Sequence, residues 1–133
     1  MEDIVASAEE AIKKLVRKDN KGKDVIGLKT NQIRKFLTAV TSLTNKIDVY
    51  KLKNGQTDEL SEDLANEVKF LKVKIAYQVG RDDKFGNVKK FADAANLVNR
   101  IDMIGTSIRR FESFARYMEA LVAYHKFYGG KDN

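Results

Sequence analysis

His125 is the only imidazole in a chain that has no cysteine. A dyad or triad using a second histidine, a two-histidine metal site and a thiolate metal site are therefore all impossible within one chain. Its neighbours at three- and four-residue spacing are apolar, so it reads as a core histidine with a satisfied ring rather than a ligand or base. The carboxylate type of helical-bundle metal site needs Glu-x-x-His, and the residue three before His125 is Val122. Asp82-Asp83 offers two adjacent carboxylates without further patterned acids, the composition of a solvated turn. Gly129-Gly130-Lys131 lacks the upstream glycine, the following hydroxyl residue and the preceding strand of a phosphate loop. It reads as a helix stop. Arg116 and Glu119 punctuate an apolar helix and read as a structural ion pair. No catalytic residue, metal or cofactor is expected.

Chemistry of another kind lies in the cations. The net charge is +6, from 25 Lys and Arg against 19 Asp and Glu, and it is unevenly spread. Residues 29–53 carry Lys29, Arg34, Lys35, Lys46, Lys51 and Lys53 against Asp48 alone. Residues 69–90 carry Lys69, Lys72, Lys74, Arg81, Lys84, Lys89 and Lys90 against Asp82 and Asp83. Between them, residues 57–67 hold only acids, while 1–28 and 91–133 are near balance. Lys35, Lys46 and Lys53 fall nearly in register on a helix, with Thr38, Ser42 and Asn45 among them. A solvated helix face is the ordinary account of such a strip. A second basic segment, with Tyr50 and Tyr77 near the lysines, favours phosphate contact that is electrostatic and indifferent to base identity. The alternative is a helical adaptor whose basic face meets an acidic protein. A helix-turn-helix DNA binder is disfavoured by the long helices and the missing tight turn.

The elements that must position these cations are helical. At 133 residues the chain is expected to form one domain, residues 1–133, with one core. It has no proline, so long uninterrupted helices are permitted. Met1-Glu2-Asp3 is acidic where a signal peptide is basic, and the longest apolar run, Ala120 to Tyr124, is far short of a membrane span. A cytoplasmic protein without membrane contact is expected.

The last long segment, Ser107 to Tyr128, organises the rest. Ile108, Phe111, Phe114, Ala115, Met118, Leu121, Val122 and His125 recur three and four apart, one helix face that must be buried. Gly129 suits a left-handed stop, and Lys126 and Lys131 suit the negative helix end. Residues 3–18 predict a first helix with Ile4, Ala8, Ile12, Leu15 and Val16 inward. Residues 19–29 predict a mobile loop. Thr30 is the expected cap of a second helix, with Ile33, Phe36, Leu37, Val40, Leu43, Thr44 and Ile47 inward and a stop at Asn54-Gly55.

Thr57 or Ser61 caps a third helix, whose first turns take the acids from Asp58 to Glu67. Its stripe is Leu60, Leu64, Val68, Leu71, Ile75 and Val79, widened by Phe70, Val73 and Tyr77, with a stop at Gly80. Asn87 caps a fourth helix facing inward with Val88, Phe91, Ala95, Val98 and Ile101 or Ile104, before Gly105 and Thr106 restart the chain. The sum is an all-α, single-domain bundle of about five helices.

Three blocks then resemble a known family. They are Leu28-Lys29-Thr30-Asn31-Gln32-Ile33-Arg34-Lys35-Phe36-Leu37, Leu71 to Arg81 (LKVKIAYQVGR) and above all Phe114 to Gly130 (FARYMEALVAYHKFYGG). In this order they are similar to the small helical subunit of the type III-A CRISPR effector, the Csm complex, over about Lys29 to Asp132. The resemblance implies a non-catalytic subunit of an antiviral ribonucleoprotein, present in several copies as an inner filament. Its partners would be the other effector subunits, further copies of itself, target RNA and the guide–target duplex. Arg34 and Lys35 match one motif, and Lys72, Lys74 and Arg81 another; Lys46 and Lys53 rest on helical register alone. These seven are the candidate RNA-binding residues, Arg34, Lys46, Lys72 and Arg81 foremost.

Overall fold

A computed structural model describes residues 2–55 and 57–130 of the chain. In order it holds α1 (Ile4–Lys13), β1 (Val16–Lys18), β2 (Asp24–Ile26), α2 (Thr30–Asn54), α3 (Glu62–Gly80), α4 (Asn87–Ala94), α5 (Leu97–Ile104) and α6 (Ile108–Phe127). The fold is a helical bundle with a minor two-stranded sheet. As its periodicity demands, α6 is the hub: it packs most extensively on α1 and α2 and also meets α5. Its buried side is Ile108, Phe111, Phe114, Tyr117, Met118, Leu121 and His125. Ala115 and Val122 lie at the edge instead, and Tyr117 takes a core place. The Tyr117 hydroxyl donates to the Ala95 carbonyl at 2.9 Å, which is how a phenol is accommodated in a core. His125 is 1 % exposed and its Nε2 donates to the Leu28 carbonyl at 2.7 Å, so it is a satisfied core histidine.

The first helix is shorter than its apolar spacing suggests. It ends at Lys13, and Val16–Lys18 turns back as β1, paired antiparallel with β2 in the register Val16 to Ile26, Arg17 to Val25 and Lys18 to Asp24. Within the segment read as a loop, the Asp19 carboxylate accepts from the Lys21 and Lys23 amides at 2.8 and 2.9 Å, and Gly22 adopts φ +76°. That folded turn joins the strands, and Ile26 and Leu28 beyond it are buried. The C-terminal glycines close on the same hairpin. Gly129 has φ +109°, and Gly130 bridges to Ile26 in parallel fashion. Lys131 lies outside the described residues.

The cap of α3 is one of the two expected, whereas those of α2 and α4 differ. At α2 the N-cap is Lys29 and Thr30 is the first helical residue; the Gln32 side chain accepts from the Lys29 amide at 2.9 Å. At α3 Ser61 accepts from the Leu64 amide at 3.2 Å, leaving only Glu62 and Asp63 as acids of the first turn. Asp58 lies before that helix and serves another. Its carboxylate accepts from the Arg109 amide and the Ser107 hydroxyl, both at 2.8 Å, and its carbonyl from the Ile108 amide at 2.8 Å. α3 stops at Gly80 as expected, but Gly80 is its last helical residue with φ not positive, and Arg81 is the C-cap. Asn87 is not a cap either, because Asp82 reaches across to accept from the Val88 amide at 2.8 Å.

The expected fourth helix is two. Asn96 turns left-handed at φ 56° and rotates the chain so that Leu97, Ile101 and Ile104 are buried while Val98 is 44 % exposed. Arg116 and Glu119 are both exposed, and neither is in an ion pair among the described residues. They do not form the expected structural pair.

Candidate nucleic-acid interface

Two helices carry the candidate cations, and their relative placement decides which can act together. The Gln32 side-chain amide donates to Asp82 at 3.2 Å, joining the start of α2 to the end of α3. Farther along, Lys46 meets Glu67 at 2.7 Å, and the Tyr50 hydroxyl donates to the Glu59 carbonyl at 3.1 Å. The helices are therefore antiparallel. Lys35 at the start of α2 comes beside Lys74 of α3, the two lining one groove, and Arg81 follows directly after α3; Arg34, one position from Lys35, lies about 100° further round α2, away from the side that meets α3. All four are exposed, and none is in an ion pair among the described residues. Lys53 is exposed but eighteen residues beyond Lys35, about 27 Å along the helix.

Other cations hold helices to one another. Lys46 binds Glu67 of α3, Lys72 binds Asp102 of α5 at 2.5 Å, and Lys51 binds Glu112 of α6 at 2.9 Å. The Glu112 hydrogen bond raises the Lys51 ammonium above its ordinary value. Ion pairs this exposed are individually weak. Each nevertheless places a carboxylate beside the cation, which a phosphate would have to displace.

Phe70, Val73 and Tyr77 do not widen the core stripe of α3. They stand 54, 52 and 64 % exposed, on the side of α3 turned from the core. With Lys35, Lys74 and Gln78 they line a groove of about 300 Å³ whose floor reaches Phe114 and Met118. No carboxylate among the described residues lines it. The Arg81 guanidinium sits 5.8 Å from the centre of the Tyr77 ring. Periodicity alone could not separate this exposed stripe from a buried one, since both obey the helical repeat. A sharper clue was the alternation of ring and cation at Phe70, Lys74, Tyr77 and Arg81.

Elsewhere the strongest electrostatic feature is structural. Arg100 makes a two-pronged contact with Glu2 and stacks 3.8 Å from the centre of the Tyr117 ring. The Arg100 hydrogen bond lowers the Glu2 carboxyl below its usual range, while burial raises the Tyr117 phenol. Asp82-Asp83 is a turn as expected, with Asp82 accepting from the amides of Asp83 and Val88 and Asp83 from that of Phe85. Among the described residues no three His, Cys, Asp or Glu side chains gather as metal ligands, and no helix is long and apolar enough to cross a membrane.

Fold and surface thus define a small α-helical protein with a cluster of exposed cations at one end of an antiparallel helix pair. Residues 2–131 match the family model described as Csm2 Type III-A. The chain is 41 % identical over 131 residues to the CRISPR system Cms protein Csm2 of Streptococcus thermophilus, covering 98 % of this chain and 95 % of that protein. The protein of the same description from Enterococcus italicus is 33 % identical over 117 residues, covering 84 % and 78 %. That from Mycobacterium tuberculosis (strain ATCC 25618 / H37Rv) is 33 % identical over 131 residues, covering 98 % and 95 %. The chain belongs to the Csm2 Type III-A family, the small helical subunit of the type III-A CRISPR complex.

Proposed function

We propose that this subunit is a non-catalytic, sequence-independent RNA-binding protein of the cytoplasm, which holds target RNA paired with guide RNA through its basic face. Stacked copies, flanked by the other effector subunits, would form the inner filament of the ribonucleoprotein. The observation that carries the reading is the gathering of Lys35, Lys74 and Arg81 at one end of the α2–α3 pair, with exposed Arg34 adjoining on the outer side of α2 and no carboxylate partner for any of the four among the described residues. Cations left unpaired on a rigid surface suit a phosphate backbone, whose recognition needs charge and spacing but no base readout. Lys53 extends the surface along α2. Lys46 and Lys72, each beside a carboxylate, serve first to set the helices that present the others.

The test is titration of the purified chain against two single-stranded RNAs of unrelated sequence, and a duplex, at several salt concentrations. Equal affinity for the two sequences and a steep loss with salt are expected. A clear preference for one sequence, or affinity that does not respond to salt, would contradict the reading. No binding even at low salt would favour a basic face that meets an acidic protein.

A further inference from the structure

The α2–α3 groove contains more than charge. On α3, Phe70, Lys74, Tyr77 and Arg81 are spaced four, three and four residues apart, so all four fall within one narrow band of the helix surface. Ring and cation alternate along that band. The two rings are seven residues apart, as are the two cations, which is about 10 Å in each case. Phe70 and Tyr77 are more than half exposed, an uncommon state for two large rings on one helix face. Lys35 approaches the same groove from α2, and carboxylates are absent from its lining among the described residues.

We infer that the rings of Phe70 and Tyr77 take the faces of unpaired nucleobases of single-stranded RNA, with the adjoining phosphates on Lys35, Lys74 and Arg81. Every base has a π-face, so stacking adds affinity without reading sequence. It also discriminates by pairing state, because a base inside a continuous duplex has no free face to offer. The cation–ring alternation matches a polymer in which planar groups alternate with anions. An acidic protein would match the cations but leave the rings without a planar partner. The inference rests on the RNA-binding reading and adds to it a contact with bases left unpaired beside the guide–target duplex, while the cations follow the backbone of paired and unpaired stretches alike.

The probe is a single-stranded RNA carrying 2-aminopurine, compared with the same strand carrying abasic positions and with a fully paired duplex, all titrated against the full chain. Stacking predicts quenching of 2-aminopurine on binding, and about 10-fold weaker binding of the abasic strand. F70A/Y77L should abolish the quenching and weaken the unmodified strand to a similar degree, while leaving the salt slope unchanged. Both rings are exposed, so the variant should keep its helical circular dichroism; F70L and Y77L singly provide a second route if it does not. Equal affinity for abasic and normal strands, without quenching, would overturn the stacking and leave backbone binding in place. Absence of all RNA binding would overturn both. Unchanged RNA binding with altered self-association of F70A/Y77L would make the groove a protein interface and also overturn the inference.

Discussion

Gly130 shows how much one residue can decide. A Cβ placed there would stand 2.2–2.6 Å from the ring atoms of His125, and the Gly130 amide donates to the His125 carbonyl at 2.7 Å. His125 in turn holds the Leu28 carbonyl, just before α2 begins. Gly130→Ala should therefore push the ring off its partner and cost about 1–3 kcal/mol of stability in a denaturant melt, as overpacked cores do. A variant as stable as the parent would show that the C-terminal turn does not rest on this ring. The glycine pair was readable from sequence as a helix stop, but not its second duty. A stop is a local conformational need, whereas the close approach to the ring depends on where the hairpin lies. The same distinction applies to the exposed aromatics. Phe70 and Tyr77 have the type and spacing of core residues, and only the packing of α2 and α5 against the other side of α3 leaves them outside.

At the scale of elements, long helices with one clear apolar stripe were legible, and their ends and short neighbours were not. The span of α6 follows from the sequence, as does the Gly55 stop of α2 at φ 75°. The hairpin is not legible in the sequence, because strands of three residues are too short for an alternation to register. Its visible clue was the Asp19-to-Gly22 turn. The caps at Asp58 and Asp82 are not legible either, because their acceptors come from outside the helix they serve.

Asp58 gives a prediction at this scale. Hydrogen bonds from the Arg109 amide and the Ser107 hydroxyl lower its carboxyl below the ordinary value. A carboxyl held lower in the fold than in the unfolded chain contributes stability above the unfolded value, and loses it as pH falls through the folded value. The segment joining α2 to α3 should therefore loosen from α6 progressively below about pH 4. Asp58→Asn should lower Tm at pH 7, and the gap to the parent should narrow as pH is taken below 4. A gap that is absent at pH 7, or constant with pH, would show that the ionised carboxylate does not hold this junction.

For the whole molecule, the charge distribution read from sequence located the two basic segments, and the antiparallel packing of α2 and α3 sorted their residues. Lys35 meets Lys74 and Arg81 at one end, with Arg34 on the outer side of α2; Lys53 lies far from them; Lys46 and Lys72 face carboxylates. Sequence order could not supply this sorting, because it depends on which acid each lysine meets across a helix interface. The most direct test compares two double variants, K35A/K74A and K46A/K72A, by the salt dependence of single-stranded RNA binding. Each phosphate contact contributes about 0.7 to the slope, so K35A/K74A should lower it by roughly 1.4. K46A/K72A should leave the slope near that of the parent while lowering thermal stability. A slope lost equally in both, or only in K46A/K72A, would contradict the assignment of the unpaired end of the α2–α3 pair as the RNA-binding surface.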